Sequence, residues 1–376
     1  MGHLGTPVGA NFLHLLLSSC KERKKEQGRV STSFARCLLT FVDVTFQGTF
    51  LITGGAGFIG SHLADHLLAR GDRVVALDSL STGRRSNLAA ASTHENFRFV
   101  QGSVLDELVV DELTREVDVV VHLAAAVGVK LIVEQPLKSL TTNIRGSEIV
   151  INAAHRYRRK ILIASTSEIY GKNGSTALHE NSDRILGAPS IARWAYSTAK
   201  AVDEILALAY HRERGLPAVV VRLFNTVGPR QSPAYGMVIP RLVRQALANE
   251  PLTVFGDGRQ TRCFSHVTDV VDALTRLMDH PRAEGEVFNV GSTEEISIID
   301  LARRITAHVG NTSSIQLVPY AKAYEVGFED MKRRIPDITK VRTLTGWHPT
   351  RMLSEILDDT IADALATAPV SALLAS

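Results

Sequence analysis

The sequence predicts an α/β protein: a doubly wound parallel sheet followed by a smaller mixed α/β C-terminal domain. Three observations predict this fold. From Gly48 onward, short apolar runs typical of buried strands alternate with stretches that carry apolar residues at helical spacing. The first of these runs passes through closely spaced glycines straight into a helical pattern. After Gly228, frequent glycines and prolines interrupt the alternation, which indicates a second domain.

The predicted elements follow that alternation in chain order. We predict strands at residues 49–53, 73–78, 98–101, 117–123, 160–165 and 218–224, and helices at residues 61–70, 136–156 and 196–214. Residues 1–47 do not continue the pattern, so we expect a disordered extension there, a first domain over residues 48–227 and a second over residues 228–376. Residues 263–290 are expected to return to the first domain, and the small side chains of residues 366–376 predict a fraying tail.

The composition excludes several function classes. The chain has 376 residues, 45% of them hydrophobic, and its net charge of +3 comes from lysines and arginines scattered among nearly as many acids. Such a balance argues against nucleic-acid binding. We predict no membrane partner, since the apolar patch at residues 11–19 is too short to span a bilayer. Cys20, Cys37 and Cys263 form neither a paired framework nor a metal-ligand spacing, so we expect no metal and a reducing, cytoplasmic compartment.

The glycine-rich turn Gly54-Gly-Ala-Gly-Phe-Ile-Gly60 is the strongest local signal. Gly54 permits the turn, Gly57 lets backbone approach a pyrophosphate, and Gly60 lets the helix pack on the strand. Asp78 ends the second strand about 20 residues on, where a dinucleotide fingerprint places an acid for the ribose hydroxyls. The pattern therefore predicts a Rossmann domain that binds a dinucleotide.

The predicted cofactor is NAD. Asp78 would repel the 2′-phosphate of NADP, although Arg84 and Arg85 nearby keep NADP as an alternative. The fourth strand ends in the small residues of His122-Leu-Ala-Ala-Ala126, as a cofactor lying across the strand ends requires. With the helix residues discussed next, the predicted cofactor contacts are Gly54, Gly57, Phe58, Ile59, Gly60, Asp78, Leu123, Ala124, Ala125, Tyr196 and Lys200.

Tyr196-Ser-Thr-Ala-Lys200 places a phenol and an ammonium four residues apart on one helical face. A nearby lysine and a positive nicotinamide favour the phenolate, which would let Tyr196 take a proton from a sugar hydroxyl. Without the dinucleotide fingerprint, a surface helix with an incidental tyrosine and lysine would explain the pattern equally well. We predict Tyr196 as the base and Lys200 as its partner.

The fifth strand ends in Thr166, Ser167 and Glu168, beside the expected position of the cofactor. Hydroxyl residues at such a place often only cap the following turn. A carboxylate carried into an apolar strand end needs a partner or a task, because burial of an unpaired charge is costly. We predict that Thr166 bonds the reacting oxygen and that Glu168 has a second acid/base or orienting role.

These motifs together resemble the extended short-chain dehydrogenase/reductases of the nucleotide-sugar epimerase/dehydratase type. The resemblance rests on the glycine turn, Asp78, His122-Leu-Ala-Ala125, Ser165-Thr-Ser-Glu-Ile-Tyr-Gly171, the catalytic helix, Arg222-Leu-Phe-Asn-Thr-Val-Gly-Pro-Arg230 and Gly256-Asp-Gly-Arg-Gln-Thr-Arg-Cys-Phe264. It implies a nucleotide-diphosphate sugar substrate, substrate contacts from Ser167, Asn225, Arg262 and Arg334, and a homodimer packed through two helices of the cofactor domain. Guanidinium forks suit phosphate geometry.

Within that family, Thr166-Ser-Glu168 is similar to UDP-glucuronate decarboxylases, whereas simple 4-epimerases usually carry a small residue in place of the glutamate. Trp194-Ala-Tyr196 and Arg262-Cys-Phe264 resemble a bacterial decarboxylase, but the helix lacks the Tyr-Asp-Glu-Gly-Lys run of the xylose-forming enzymes. The resemblance implies decarboxylation of UDP-glucuronate through a 4-keto intermediate, with Glu168 or Arg262 as the acid that reprotonates C5. A UDP-sugar 4-epimerase is the alternative; a 4,6-dehydratase or a non-catalytic cofactor-binding regulator is more distant.

Overall fold

The computed structural model describes residues 47–128, 135–235, 237–323, 329 and 331–367. The predictions for residues 1–46, including Cys20 and Cys37, and for residues 368–376 lie outside this part of the chain.

A sheet of seven parallel strands forms the centre of the described structure, in the order β11-β6-β5-β4-β1-β2-β3. The chain runs outward from β1 to β3 and then returns to β4 on the other side of β1. Ligands bind at such a reversal point, outside the carboxyl ends of the strands. The strands are β1 (Thr49–Thr53), β2 (Arg73–Asp78), β3 (Phe97–Gln101), β4 (Val119–His122), β5 (Lys160–Thr166), β6 (Ala218–Leu223), β7 (Thr226–Val227), β8 (Leu252–Phe255), β9 (Thr261–Cys263), β10 (Ser265–His266), β11 (Val287–Val290), β12 (Glu295–Ser297) and β13 (Ile315–Val318).

Helices cover both faces of this sheet, because each presents one apolar stripe to the strands. The helices are α1 (Phe58–Arg70), α2 (Glu107–Arg115), α3 (Pro136–Leu140), α4 (Gly146–Arg156), α5 (Ala195–Arg214), α6 (Val238–Leu247), α7 (Val267–Asp279), α8 (Ile298–Val309), α9 (Tyr320–Ala323), α10 (Thr339–Thr345) and α11 (Leu353–Thr367). One core joins the sheet to α1, α7 and α10, and the other joins it to α2, α4 and α5. The predicted doubly wound α/β fold is confirmed.

A separate, smaller core lies after β6. It is built from α6, α8 and α11 with short strand pairs, among them β8 with β13 and β9 with β12. Between these elements the chain returns to the main sheet, where α7 packs beside α1 and β11 pairs with β6. The exact division at residue 227 stays a prediction.

The predicted helix at residues 136–156 is interrupted. A π-helical turn, Thr141–Arg145, separates α3 from α4. The side chain of Asn143 in this turn is buried and pairs with Ala126, accepting from its N–H at 2.7 Å and donating to its carbonyl at 3.1 Å. This distortion, often found at functional sites, fixes the chain just after β4.

Candidate active site

All of the predicted site residues line one cavity of about 690 Å³ at the carboxyl ends of the central strands. They are Gly54, Gly57, Phe58, Ile59, Gly60, Asp78, Leu123, Ala124, Ala125, Thr166, Ser167, Glu168, Tyr196, Lys200, Asn225, Arg262 and Arg334. The sheet therefore brings together residues separated by up to 280 positions in sequence (334 minus 54). Their individual roles stay predictions.

The glycine turn is packed so closely against neighbouring backbone that Gly54 and Gly60 have no room for a side chain. Gly54 has φ +73°, and a Cβ there would lie 2.8 Å from the backbone nitrogen of Ala124. A Cβ on Gly60 would lie 2.2 Å from the Gly54 carbonyl oxygen. No side chain caps the start of α1 at Gly57, so the first N–H groups of the helix and its positive dipole end remain available to an anion. This cradle fits the pyrophosphate of a dinucleotide.

Asp78 lies at the end of β2, beside this cradle. Its carboxylate accepts hydrogen bonds from the backbone N–H of Ala56 at 3.0 Å and of Leu80 at 2.7 Å. Burial raises the pKa of Asp78, and these backbone donors oppose the rise. A carboxylate also retains lone pairs toward the cavity that ribose hydroxyls can use.

We expect Asp78→Ala to weaken NAD binding and to reduce the preference for NAD over NADP. The ribose hydroxyls lose a hydrogen-bond acceptor, and the 2′-phosphate of NADP is no longer repelled by a carboxylate. Titration of both dinucleotides measures the change. Asp78→Asn is the matched control. It keeps an acceptor oxygen, so NAD affinity should fall less than in Asp78→Ala, while the preference for NAD over NADP should still decrease. Unchanged affinity for both cofactors in Asp78→Ala would place Asp78 away from the ribose.

A buried chain of hydrogen bonds positions the end of β4. Thr53 Oγ1 lies 2.8 Å from His122 Nδ1, and His122 Nε2 lies 3.0 Å from Ser147 Oγ. The Ala124 N–H donates to Thr53 Oγ1 at 3.2 Å. Burial, followed by the charge of Lys200, lowers the pKa of His122 to about 3, so the ring is neutral at physiological pH. These hydrogen bonds therefore fix the backbone that faces the cofactor, and they add no charge to the site.

Tyr196 and Lys200 lie on the first turns of α5 and face the cavity, with 7% and 2% of their surfaces exposed. We expected Lys200 to favour the phenolate, but its ammonium pairs with Asp203, at 3.1 Å from Nζ to Oδ2. Burial raises the pKa of Tyr196, the carboxylates of Glu168 and Asp203 raise it further, and Arg193 lowers it. The protein's own groups therefore keep Tyr196 a phenol.

Glu168 follows β5 in a short 3₁₀ turn, Ser167–Tyr170, which is capped when Thr166 Oγ1 accepts from the Glu168 N–H at 3.2 Å. Arg193 donates to both carboxylate oxygens of Glu168, at 2.5 and 3.0 Å. Arg334 approaches the same carboxylate to 3.6 Å. Burial alone would raise the pKa of Glu168, but Arg193, Arg334 and Arg262 outweigh it and hold that pKa below its ordinary value. The carboxylate is thus ionised and oriented.

Arg262 and Arg334 place guanidinium groups on the side of the cavity formed after β6. Arg334 donates to the side-chain oxygen of Asn225, whose amide nitrogen donates to the Cys263 carbonyl at 2.7 Å. Arg262 donates to the Thr261 carbonyl at 2.8 Å. Both arginines are 8% exposed. Buried cations beside an open cavity suit a diphosphate or a carboxylate.

Sequence reasoning missed three residues. Arg193 lines the cavity and is 4% exposed, Asp203 pairs with Lys200, and Asn143 fixes Ala126. An arginine placed three residues before Tyr196 in a weakly polar stretch was an available signal. The sequence carried no signal for Asp203, because a carboxylate one helical turn beyond a lysine usually lies on an exposed helix face.

Among the described residues, no group of three or more histidine, cysteine or carboxylate side chains could hold a metal ion. Within the same part of the chain, no helix combines the length and the apolar character needed to cross a membrane. Cys263 is a buried free thiol, and burial raises its pKa to about 12.

Comparisons with known proteins agree with this geometry. UDP-N-acetyl-α-D-glucosaminuronate decarboxylase of Bacillus cytotoxicus is 42% identical over 316 residues, which cover 83% of this chain and 96% of that protein. UDP-glucuronic acid decarboxylase 1 of Xenopus tropicalis is 38% identical over 313 residues, covering 83% of this chain and 70% of that protein. The solved structure of UDP-glucuronic acid 4-epimerase from Bacillus cereus, in complex with UDP-glucuronic acid and NAD, matches with a TM-score of 0.76 and 30% identity, covering 85% of this chain and all of that one, 100%.

The family assignment rests on most of the chain. The model of the GDP-mannose 4,6-dehydratase family matches residues 51–360, from β1 through most of α11. That span contains the whole cavity described above. The chain is therefore a member of the GDP-mannose 4,6-dehydratase family of extended short-chain dehydrogenase/reductases.

Proposed function

We propose that this protein is an NAD-dependent decarboxylase of UDP-linked hexuronates, with UDP-glucuronate as the first substrate to test. The observation that carries the proposal is the ionised Glu168, held by Arg193 within reach of Arg334, in the cavity that also contains Tyr196. Decarboxylases of UDP-glucuronic acid and of its N-acetylamino analogue are among the relatives at 38% and 42% identity. The cofactor is NAD, for which the glycine cradle and Asp78 provide the fit.

Tyr196 starts the proposed reaction by taking the proton of the sugar C4 hydroxyl. When bound, NAD supplies a reversible acceptor for the hydrogen carried on C4. Oxidation at C4 places a ketone β to the carboxylate on C5, so carbon dioxide can leave as the C5 electron pair passes into an enolate. Tyr196 and Thr166 would donate hydrogen bonds to the developing oxyanion, where charge accumulates in the transition state. Both lie on the cavity wall.

Glu168 acts in this scheme as an orienting carboxylate. Because the arginines hold its pKa below the ordinary value, it carries no proton to donate at neutral pH. Reprotonation of C5 is therefore assigned to Arg262, or to a water held between Glu168 and the guanidinium groups. Of the two roles expected for Glu168, we retain the orienting one.

The charges around the sugar favour an acidic substrate. Three guanidinium groups, those of Arg193, Arg262 and Arg334, act on one carboxylate, that of Glu168. Guanidinium groups beside a cavity suit both a nucleotide diphosphate and a sugar carboxylate, because each offers paired acceptor oxygens to the guanidinium fork.

The alternative is a UDP-sugar 4-epimerase, which shares the first oxidation. The fold match to a UDP-glucuronic acid 4-epimerase favours keeping it as a candidate. In that reaction the keto sugar rotates within the site, the hydrogen returns to the opposite face of the sugar, and the sugar carboxylate is retained. Product mass separates the two, because only decarboxylation removes carbon dioxide.

The deciding experiment incubates the purified protein with NAD and UDP-glucuronate, and in parallel with UDP-N-acetylglucosaminuronate and UDP-glucose. We expect loss of carbon dioxide from at least one uronate and none from UDP-glucose, by mass spectrometry. A changed retention time without a change of mass would replace the decarboxylase proposal with the epimerase. No conversion of any of the three would overturn both.

The proposal includes a cytoplasmic homodimer. Leu137 on α3 and Ile205 on α5 are 78% and 61% exposed, and Val202 on α5 is 37% exposed. The family resemblance implies a dimer packed through two helices of the cofactor domain, and the exposed apolar side chains on α3 and α5 make these two helices our candidates. We expect a dimer in sedimentation velocity and a shift to monomer in Ile205→Arg; a monomeric parent protein would contradict this part.

A further inference from the structure

Lys200 and Asp203 form a buried ion pair. They lie one turn apart on α5, with 2% and 1% of their side chains exposed, and Nζ lies 3.1 Å from Oδ2. Water cannot screen charges buried to this extent, so each strongly affects its neighbours. Lys200 lies about one helical turn from Tyr196 and lines the same cavity, and Asp203 lies about two turns from Tyr196.

The groups around this pair add no net charge. His122 is neutral, and its Nε2 contacts the hydroxyl of Ser147 on α4, which in turn stabilises the Asp203 carboxylate. The adjacent Glu204 faces away, toward Arg222 at 2.7 Å. The charged groups that act on Tyr196 itself are Glu168, Asp203 and Arg193.

We propose that Asp203 is a positioning residue which fixes the Lys200 ammonium in a charge-neutral pair, so that Lys200 orients the phenol and the cofactor without adding net positive charge to the cleft. Tyr196 would then become a base only when another positive charge, that of the nicotinamide, is present beside it. The inference rests on the proposed function only in taking Tyr196 as the base.

The geometry explains why a carboxylate is required at this position. A buried ammonium without a partner would lose its proton or destabilise the fold. A hydroxyl side chain at position 203 could accept a hydrogen bond from the ammonium, but it would leave the positive charge uncompensated. A carboxylate supplies both the hydrogen bond and the compensation.

The test follows the ionisation of Tyr196 in the NAD-loaded protein without substrate. The phenolate absorbance of Tyr196 is isolated by subtracting a titration of Tyr196→Phe. In Asp203→Asn we expect the Tyr196 transition to move to lower pH by about one unit or more, because the Asp203 carboxylate, whose negative charge raises the pKa of Tyr196, is lost. The rate of NADH formation in a single turnover should be measured against pH. The pH at which this rate falls on the acid side should also move to a lower value.

Two further variants separate this role from a structural one. Lys200→Met/Asp203→Asn replaces one neutral pair with another, so the transition should return toward its parental position. Glu204→Gln removes the next buried carboxylate on the helix; we expect lower thermal stability but an unmoved Tyr196 transition. If Asp203→Asn does not fold, Ser147→Ala should give a smaller shift in the same direction.

A folded Asp203→Asn protein with an unmoved Tyr196 transition would overturn the inference, as would an equal shift in Glu204→Gln. The absorbance titration uses no sugar nucleotide. Failure of the decarboxylase proposal would therefore appear as absent product, and failure of this inference as an unmoved transition.

Discussion

Tyr196→Phe should lower turnover about a hundredfold or more while NAD stays bound. The substitution removes the proton acceptor and one hydrogen bond to the enolate, but keeps the ring that fills its place on α5. Tyr196 is only 7% exposed, so the cavity should keep its shape. A hundredfold loss corresponds to about 2.7 kcal/mol of transition-state stabilisation.

The measurement is the rate of product formation from UDP-glucuronate, with bound NAD quantified after gel filtration. Tyr157→Phe is the matched control, because the Tyr157 hydroxyl donates to Asp111 at 2.6 Å and does not line the cavity. It should keep parental turnover. Activity of Tyr196→Phe within a few-fold of the parent would mean that another group takes the proton.

Burial and neighbouring carboxylates raise the pKa of Tyr196, which sets the direction of the pH dependence. Tyr196 acts as a base only as the phenolate, so activity should rise with pH on the acid side, or acid limb, of the pH–activity profile. Glu168 should not contribute to that limb near neutrality, since its pKa is held below the ordinary value and its charge persists. Positive charge beside the phenol moves the limb to lower pH.

The sequence signals that predicted the fold were local. Apolar runs and the glycine turn located β1, β2 and β5 to within one residue of their observed bounds, because buried parallel strands leave few alternatives for such runs. The same rule put the predicted cofactor and catalytic residues of the first domain at one edge of the sheet, since they end a strand, follow one or lie in the first turns of a helix there. Arg262, within β9, and Arg334, before α10, were predicted from the family resemblance. The interruption of the helix at residues 136–156 had no periodic signal, because a π turn inserts only one residue.

The electrostatics of the site depend on pairings across the fold and could not be predicted from spacing. Lys200 and Tyr196 have the spacing of a cooperating pair, yet Asp203 compensates the lysine. Glu168 was expected as an acid/base or orienting group, and only the approach of Arg193 from the turn before α5 favours the second role. Which buried charges neutralise one another is set by tertiary contacts, and these decide each pKa.

Glu168→Gln separates the proposed decarboxylase from the epimerase, because the two reactions share the oxidation at C4 and differ afterwards. Glutamine keeps the size but replaces one acceptor oxygen with an amide donor, so one of the two bonds from Arg193 to this side chain, at 2.5 and 3.0 Å, is lost. The negative charge that Arg334 approaches to 3.6 Å is lost as well. Residue 168 then holds the guanidinium groups less firmly, and the group that reprotonates C5 is less precisely positioned.

For a decarboxylase, we expect NADH formation to survive in Glu168→Gln while release of carbon dioxide or reprotonation of C5 slows about a hundredfold or more. For a 4-epimerase, the loss should be only a few-fold, since Tyr196 alone handles the C4 hydroxyl. NADH absorbance and product mass with UDP-glucuronate measure the two steps in one reaction. Glu295→Gln is the matched control: Glu295 accepts from Arg333 through both oxygens, each at 2.9 Å, away from the cavity. Decarboxylation at the parental rate in Glu168→Gln would remove the role assigned to this carboxylate.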